Sequence, residues 1–443
     1  MFTYLHVKNF KSLIDFTIDF RNNRNTPRKL NIIYGENGAG KSNIVEIFDF
    51  IKRILFSRVL TPSPHIEDEN QELSKFYNLI INPHLISNII KDYKTIEYDD
   101  NIHIECGIKL GKTHYEYIIQ TDSERIIFEK LSMLKNKKDE VLFELHIDHY
   151  NIEKVSKNMT YFKELSNEID KYWGKHAFIS IILYEMHDKM VEYITKNINN
   201  NILDTIKLFL TFNVLKPISK YGINRTSFNN PLFLDNINMG NIELDKLDLL
   251  HTTEKILDSI ITSLYSDIRQ VYYDTKTEKD EIKYILYCKK LIGNKLIDIP
   301  FSRESTGTQK LFDLIPLFIY SLDGGIVIID EFDTGIHDIM IKTLLENFAE
   351  NISGQLILTT HSTTLMEANI KKDSIYILDI LSNRNKEVYS VVDYEQKLHP
   401  YLNIRKRYLS GEYGGIPYTS DIDFIEINEI LDNAKKNNNE KNQ

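Results

Sequence analysis

Gly35-Glu36-Asn37-Gly38-Ala39-Gly40-Lys41-Ser42 fits the pattern GxxxxGK[ST], and its flanks supply the setting that pattern requires. Ahead of it lies Leu30 to Tyr34, an apolar run of strand length. Behind it Ile44, Ile47, Phe48, Ile51 and Leu55 recur at helical spacing. The local reading is strand, glycine loop, helix. Glycines let successive backbone N–H groups converge on phosphate oxygens at a helix N-terminus, Lys41 brings a cation to the β- and γ-phosphates, and the Ser42 hydroxyl can ligate Mg²⁺. The alternative is a turn with no ligand. In a chain with only 17 Gly and 10 Pro among 443 residues, chance assembly of the motif is on the order of 1%. ATP and Mg²⁺ are therefore the expected ligands, with residues 35–42 as their cradle.

A phosphate loop needs a second acid to hold its metal, and Ile326-Val327-Ile328-Ile329-Asp330-Glu331 provides one: four apolar residues of a buried strand ending in two carboxylates. Asp330 is placed for Mg²⁺. Glu331, on the other side of the backbone, could polarise a water for in-line attack on the γ-phosphate. Paired acids without such a strand are usually a solvated face. Upstream, Ser305-Thr306-Gly307-Thr308-Gln309 opens an apolar helix with exposed N–H groups and hydroxyls suited to a second anion contact. Downstream, Thr359-Thr360-His361-Ser362 ends the strand QLIL and puts an imidazole at the carboxyl edge of the sheet, where ligands of open α/β sheets sit. A lone His in that place is more often structural.

The composition is that of an ordinary globular protein, 42% apolar and 27% charged, which excludes wholesale disorder, collagen and a multi-span membrane protein. Lys plus Arg at 54 against Asp plus Glu at 64 gives a net charge of -10, so a basic coat for sequence-blind nucleic-acid binding is not expected. No stretch reaches about 18 uninterrupted apolar residues, and MFTYLHVKNF lacks a basic segment followed by an apolar run, so a cytoplasmic protein with neither span nor signal peptide is expected. Cys106 and Cys288 have no zinc or redox spacing and read as buried small hydrophobes.

Four segments follow from the patterning. Residues 1–145 read as the N-terminal lobe of an α/β domain, with a strand at Ile14 to Phe20, the phosphate loop and an antiparallel meander from about Thr95 to Phe143. Residues 146–292 read as a mostly helical insertion, rich in Lys, Asn and Glu. Residues 293–427 return to apolar strands alternating with amphipathic helices, the signature of a parallel sheet, and 428–443 read as a flexible tail.

Phosphate loop, STGTQ segment, acidic strand and strand-end His occur here in the order found in ATPases of the ABC, RecF and SMC kind, and the chain resembles that superfamily over about 1–145 and 293–380. His6 to Phe20, HVKNFKSLIDFTIDF, is similar to the opening strand pair of RecF-like and SMC-like heads. The resemblance implies a P-loop NTPase head of ABC type, with a parallel core sheet, an antiparallel β subdomain and the helical insertion. It puts Ser305 to Gln309 at the signature motif, with Thr306 in place of the usual Ser and Thr308 in place of the second Gly. Ser305, Thr306, Gly307 and Gln309 would then contact the nucleotide of a second, head-to-tail subunit. Glu331 takes the place of the catalytic glutamate, Asp333 to His337 that of the D-loop, and His361 that of the switch histidine. Gln120 is the nearest candidate for the Q-loop, and a strand-end Gln explains it equally well. His337 could shape a dimer contact or simply start a helix.

The C-terminal stretches DSIYILDI, VYSVVDYEQ and NIRKRYLSGEYGGIPY narrow the resemblance to AAA15/AAA21-type ATPases of phage-defence operons, the RloA, AbiLi and PARIS ATPase kind. These look like the ATPase half of overcoming-lysogenization-defect nucleases without the nuclease. About 60 residues follow Ile380, too few for a Toprim domain, and Asp421-Ile422-Asp423 reads as surface. The resemblance therefore implies a nucleotide-bridged homo-oligomer that senses DNA or a phage protein and controls a separately encoded effector, a nuclease being one candidate. Two other functions stay open: a RecF/SMC-like repair ATPase that clamps DNA, and an ATP-binding scaffold without turnover. The segment Asn403 to Pro417, with Arg405, Lys406 and Arg407 beside Tyr408 and Tyr413, reads as a capping helix and turn, a partner contact or a nucleic-acid contact.

Overall fold

The computed structural model describes residues 1–60, 85–135, 138–148, 151–156, 164–188, 191–216, 233–234, 236–394, 402–417 and 421–440. Stretches of the expected insertion (157–163 and 217–232 among them) and the last three tail residues lie outside these. In chain order the strands are β1 (Phe2–Phe10), β2 (Leu13–Asp19), β3 (Leu30–Tyr34), β4 (Ile102–Leu110), β5 (Thr113–Thr121), β6 (Ile126–Lys135), β7 (Lys138–Asp148), β8 (Asn151–Ser156) and β9 (Asn213–Leu215). They continue as β10 (Met239–Glu243), β11 (Ile268–Glu278), β12 (Glu281–Ile292), β13 (Lys295–Pro300), β14 (Ile326–Ile329), β15 (Gln355–Thr359), β16 (Ile375–Ile380) and β17 (Lys386–Ser390).

The core sheet has the order β17-β16-β3-β15-β14-β9, parallel throughout except for β17. Its central strands, LNIIY, IVII, QLILT and IYILDI, are almost continuously apolar because helices or a second sheet cover both faces. Alternate residues feed two different cores. Ile33, Ile328, Ile357 and Leu378 pack with the helix Lys41–Leu60 and the meander, whereas Ile32, Val327, Leu356 and Ile377 pack with the helices Leu247–Leu264, Thr306–Leu322 and Asp338–Ala349. The expected parallel sheet and antiparallel subdomain are both present. The latter is a seven-stranded sheet, β2-β1-β4-β5-β6-β7-β8. Gln355 ties the two sheets together: its amide accepts from the Phe2 N–H at 2.8 Å and donates to the Phe2 carbonyl at 2.9 Å, all three groups buried.

The middle of the chain departs in part from the helical expectation. Helices do run at Ser166–Tyr172, Phe178–Asp188, Val191–Asn197, Asn200–Thr211 and Leu247–Leu264. Yet β9 enters the core sheet beside β14, and β11 and β12 form a long antiparallel hairpin. Along β12, Ile282, Tyr284, Leu286 and Cys288 are buried in strict alternation with the less buried Lys283, Ile285 and Tyr287, the two-residue period of a strand. Nor is this stretch detached, since Phe178, Ile182, Ile202, Phe209 and Phe212 share a core with Phe2 and Phe48. Phe424–Glu440 is a helix, exposed from 424 to 435, that starts where Asp423 accepts from the Ile425 and Glu426 N–H groups at 2.9 and 3.1 Å. That contact places Asp423 as a surface cap. Cys106 and Cys288 are free and buried, and burial pushes the Cys288 thiol up to about 12. Among the described residues no helix is long and apolar enough to cross a membrane.

Candidate functional site

The glycine loop 35–42 joins β3 to the helix Lys41–Leu60, as its flanks predict. Gly38 and Gly40 sit at φ +81° and +113°, values that strain any residue with a Cβ, so the loop can be closed in this shape only by glycine. Lys41 is buried, and its ammonium donates to the Gly35 and Glu36 carbonyls at 2.8 and 3.0 Å. Loss of hydration brings its pKa down to about 8, against the opposing pull of Asp330, Glu331, Asp333 and Glu36. A cation held short of its preferred solvation at a helix N-terminus is suited to a polyanion. Ser42 is exposed on the first turn. Ser12, on the turn between β1 and β2, closes one side of the loop: it accepts from Asn43 at 2.6 Å and from Lys386, whose ammonium also reaches the Gly38 carbonyl at 3.3 Å.

Asp330 and Glu331 follow β14 directly, and the neighbouring strand orders them. The Thr359 hydroxyl, at the end of β15, donates to Asp330 Oδ1 and accepts from the Glu331 N–H at 2.8 Å. β14 and β15 pair with Ile329 beside Leu358, so this hydroxyl lies next to the acids by register. Glu331 has φ +46°, a left-handed backbone that turns the chain out of the sheet. Lys310 holds that turn from below, donating to the Glu331 and Thr334 carbonyls at 2.9 and 2.8 Å. His361 lies in the electrostatic field of Lys41, Asp330, Glu331 and Asp333. Partial desolvation, and then the Lys41 ammonium, lower its pKa, so the imidazole is neutral at pH 7. Phosphate loop, paired acids and strand-end His thus converge at one sheet edge.

Ser305 to Gln309 is packed against the turn that follows the acids. Ser305 caps the helix Thr306–Leu322 by accepting from the Thr308 N–H at 3.2 Å, and Ser305 and Thr306 are exposed. A Cβ on Gly307 would stand 2.2 Å from the Gly335 carbonyl oxygen, so this contact exists only with glycine. Gln309 differs from the expected nucleotide contact in its immediate partners: its amide donates to the carbonyls of Ser302 and Glu304 at 3.2 and 3.0 Å. It braces the turn before the helix.

The remaining sequence candidates are placed as structural groups. His337 is the N-cap of the helix Asp338–Ala349, accepting from the Ile339 N–H at 3.2 Å. Gln120 pairs with His103 on the meander. Asn403 to Pro417 docks on β16: Gly415 donates to Asp379 at 2.8 Å, the Tyr408 hydroxyl to the Gly415 carbonyl at 2.7 Å, and Arg405 pairs with Glu367 at 3.2 Å. Three groups at the site escaped the sequence reading. Thr359 stood beside the His that drew notice, and strand register was the signal that could have found it. Lys310 and Lys386 carry no local signal, since each acts through carbonyls far away in sequence.

The AAA ATPase domain family model, AAA_15, matches residues 1–366. No curated protein matches the chain. Among solved structures, the SMC head domain from Thermotoga maritima is 13% identical with a TM-score of 0.37, covering 88% of this chain and 98% of that one. An SmcHead bound to the C-winged helix domain of ScpA is 13% identical with a TM-score of 0.43, covering 89% and 99%. The Smc head domain with an extended coiled coil bound to the C-terminal domain of ScpA, derived from Pyrococcus furiosus, is 14% identical with a TM-score of 0.40, covering 88% and 96%. With the family model spanning the phosphate loop, the acidic strand and the strand-end His, the chain belongs to the AAA ATPase domain family AAA_15.

Proposed function

We propose that this protein hydrolyses ATP with Mg²⁺ at a site completed by a second copy of itself, and that the nucleotide-bridged oligomer senses foreign DNA or a phage protein and holds or releases a separate effector, a nuclease being one candidate. The supporting observation is a split arrangement. Lys41, Asp330, Glu331 and His361 converge at one sheet edge, while the start of the helix Thr306–Leu322, with Ser305 and Thr306 exposed, packs through Gly307 on the turn that follows the acids. An anion cradled by 35–42 leaves its outer face open, and an exposed helix N-terminus on another copy fits that need.

In this reading Ser42 and Asp330 would hold Mg²⁺, which would supply positive charge beside the γ-phosphate. Lys41 exchanges its two carbonyl partners for phosphate oxygens, whose charge offsets the hydration its buried ammonium has lost. Glu331 orients and deprotonates the attacking water, with its backbone fixed by Thr359 and Lys310. His361, neutral and at the same edge, donates a hydrogen bond to the γ-phosphate. Residues 293–427 then act as the lobe that carries both the acids and the partner's cap.

The test is light scattering on Glu331→Gln with and without Mg-ATP, because the variant keeps Lys41 and Asp330 and stops the reaction before bond cleavage. A larger mass with nucleotide is the expected result. Unchanged mass with ATP still bound would sink the bridging claim and favour a scaffold, and DNA binding that falls steeply with salt would favour a DNA clamp.

A further inference from the structure

On the partly exposed face of the seven-stranded sheet, three side chains converge. His6 on β1 lies directly opposite Glu105 on β4, and His103 is two residues along on the same face. His6 Nδ1 and His103 Nε2 each stand 3.8 Å from Glu105 Oε2, and one donor atom from each residue lies within 4.8 Å of the others. A tetrahedral ion with bonds of about 2.0–2.1 Å spaces its ligands about 3.3 Å apart, so each contact needs to close by roughly 0.5 Å. The three side chains are 19 to 26% exposed, which leaves them partly dehydrated and still reachable.

The outer partners favour a ligand reading over a simple polar cluster. His6 Nε2 lies 2.9 Å from Asp15 Oδ1 on β2, so that nitrogen carries the proton and Nδ1 is left bare, facing Glu105. His103 Nδ1 lies 3.0 Å from the side-chain amide nitrogen of Gln120 on β5. Nε2 becomes the bare nitrogen facing Glu105 when that amide is flipped end for end, so that its oxygen accepts from Nδ1–H, and the ligand reading requires this flip. The second oxygen of Glu105 is held by the Tyr4 hydroxyl at 2.6 Å. Tyr4 also donates to Glu116 at 2.7 Å. Each ligand is thus anchored on the side away from the common point. Lys8 faces the cluster too, pairing with Asp15 at 3.6 Å. Cys106 is buried on the opposite face, so the donors are nitrogen and oxygen only.

We propose that His6, His103 and Glu105 bind one first-row divalent cation of the Zn²⁺, Co²⁺ or Ni²⁺ class, oriented by Asp15, Gln120 and Tyr4, at a site separate from the nucleotide. Two imidazoles and one carboxylate suit such an ion and are poor donors for Ca²⁺ or for soft Cu⁺. The ion would staple β1 to β4, near the hairpin whose turn reaches the phosphate loop through Ser12.

The experiment uses the full chain, free of affinity tag and stripped with EDTA, titrated with Co²⁺ and followed by its visible absorption and by metal analysis after dialysis. One equivalent with the d–d bands of a low-coordinate Co²⁺ site, displaced by Zn²⁺, and a Zn²⁺-dependent rise in melting temperature are expected. His103→Gln and Glu105→Gln should each abolish the bands, and Asp15→Asn should weaken binding by about 10- to 100-fold. Circular dichroism checks that each variant is folded, and an unfolded one is replaced in the comparison by the others. No cobalt bands in the wild type, or bands that persist in the folded variants, would overturn the proposal.

Discussion

Thr359→Val is the most exacting test of the site. The change keeps size and β-branching and removes only a hydroxyl that is fully buried. That hydroxyl makes two hydrogen bonds, one donated to the Asp330 carboxylate and one accepted from the Glu331 N–H. A bond to a charged group contributes about 1.5–3 kcal/mol and a neutral one about 0.5–1.5, so the variant should lose about 2–4 kcal/mol of stability. Urea unfolding reads this directly as a fall in the midpoint at constant slope. Because Asp330 also loses the contact that fixes its orientation, the Mg²⁺ concentration needed for half-maximal ATP turnover should rise about 10- to 100-fold, by analogy with the loss of outer partners at metal sites. Thr359→Ser, which keeps the hydroxyl, should restore the Mg²⁺ requirement even if the lost methyl costs some stability. A Thr359→Val protein with the wild-type urea midpoint and Mg²⁺ requirement would refute the bridging role of this hydroxyl.

Two further expectations come from the same region. Lys41 binds phosphate only when protonated, and its pKa is about 8, so ATP affinity should hold below that value and decline toward tenfold per pH unit above it. Titration of a fluorescent ATP analogue between pH about 7 and about 9.5 measures this, and Lys41→Arg should flatten the curve. Gly307→Ala would normally favour a helix by up to about 1 kcal/mol, but its Cβ would stand 2.2 Å from the Gly335 carbonyl oxygen, so a net loss of about 1–3 kcal/mol is expected by thermal melting. A gain in stability would show that this contact is looser than described.

What the sequence made legible is what local spacing encodes. GENGAGKS between a strand and a helix, and IVII before Asp330-Glu331, each carry their context within about ten residues, and both stand where that context put them. The hairpin β11–β12 was hidden because Ile285 and Tyr287, on its outward side, are as apolar as the inward residues, so the alternation of Ile282, Tyr284, Leu286 and Cys288 does not stand out in the sequence. β9 is three residues long and gains its place only from pairing with β14. Lys310 and Thr359 act on groups 21 and 28 residues away, and Gln355 on one 353 residues away, so only the packed chain reveals them. Asn403 to Pro417 shows the reverse, an arginine-rich stretch whose Arg405 is tied down to Glu367.

The left-handed backbone at Glu331 has a consequence for how this protein came to its present sequence. Holding a residue with a Cβ at φ +46° costs roughly 1–2 kcal/mol, and glycine would relieve most of it at once. A pool of variants sorted for folding alone would therefore drift to glycine or asparagine at this position. If Glu331 is the base proposed above, its carboxylate is kept at the expense of backbone ease, and Glu331→Gly should melt higher than the parent while losing turnover.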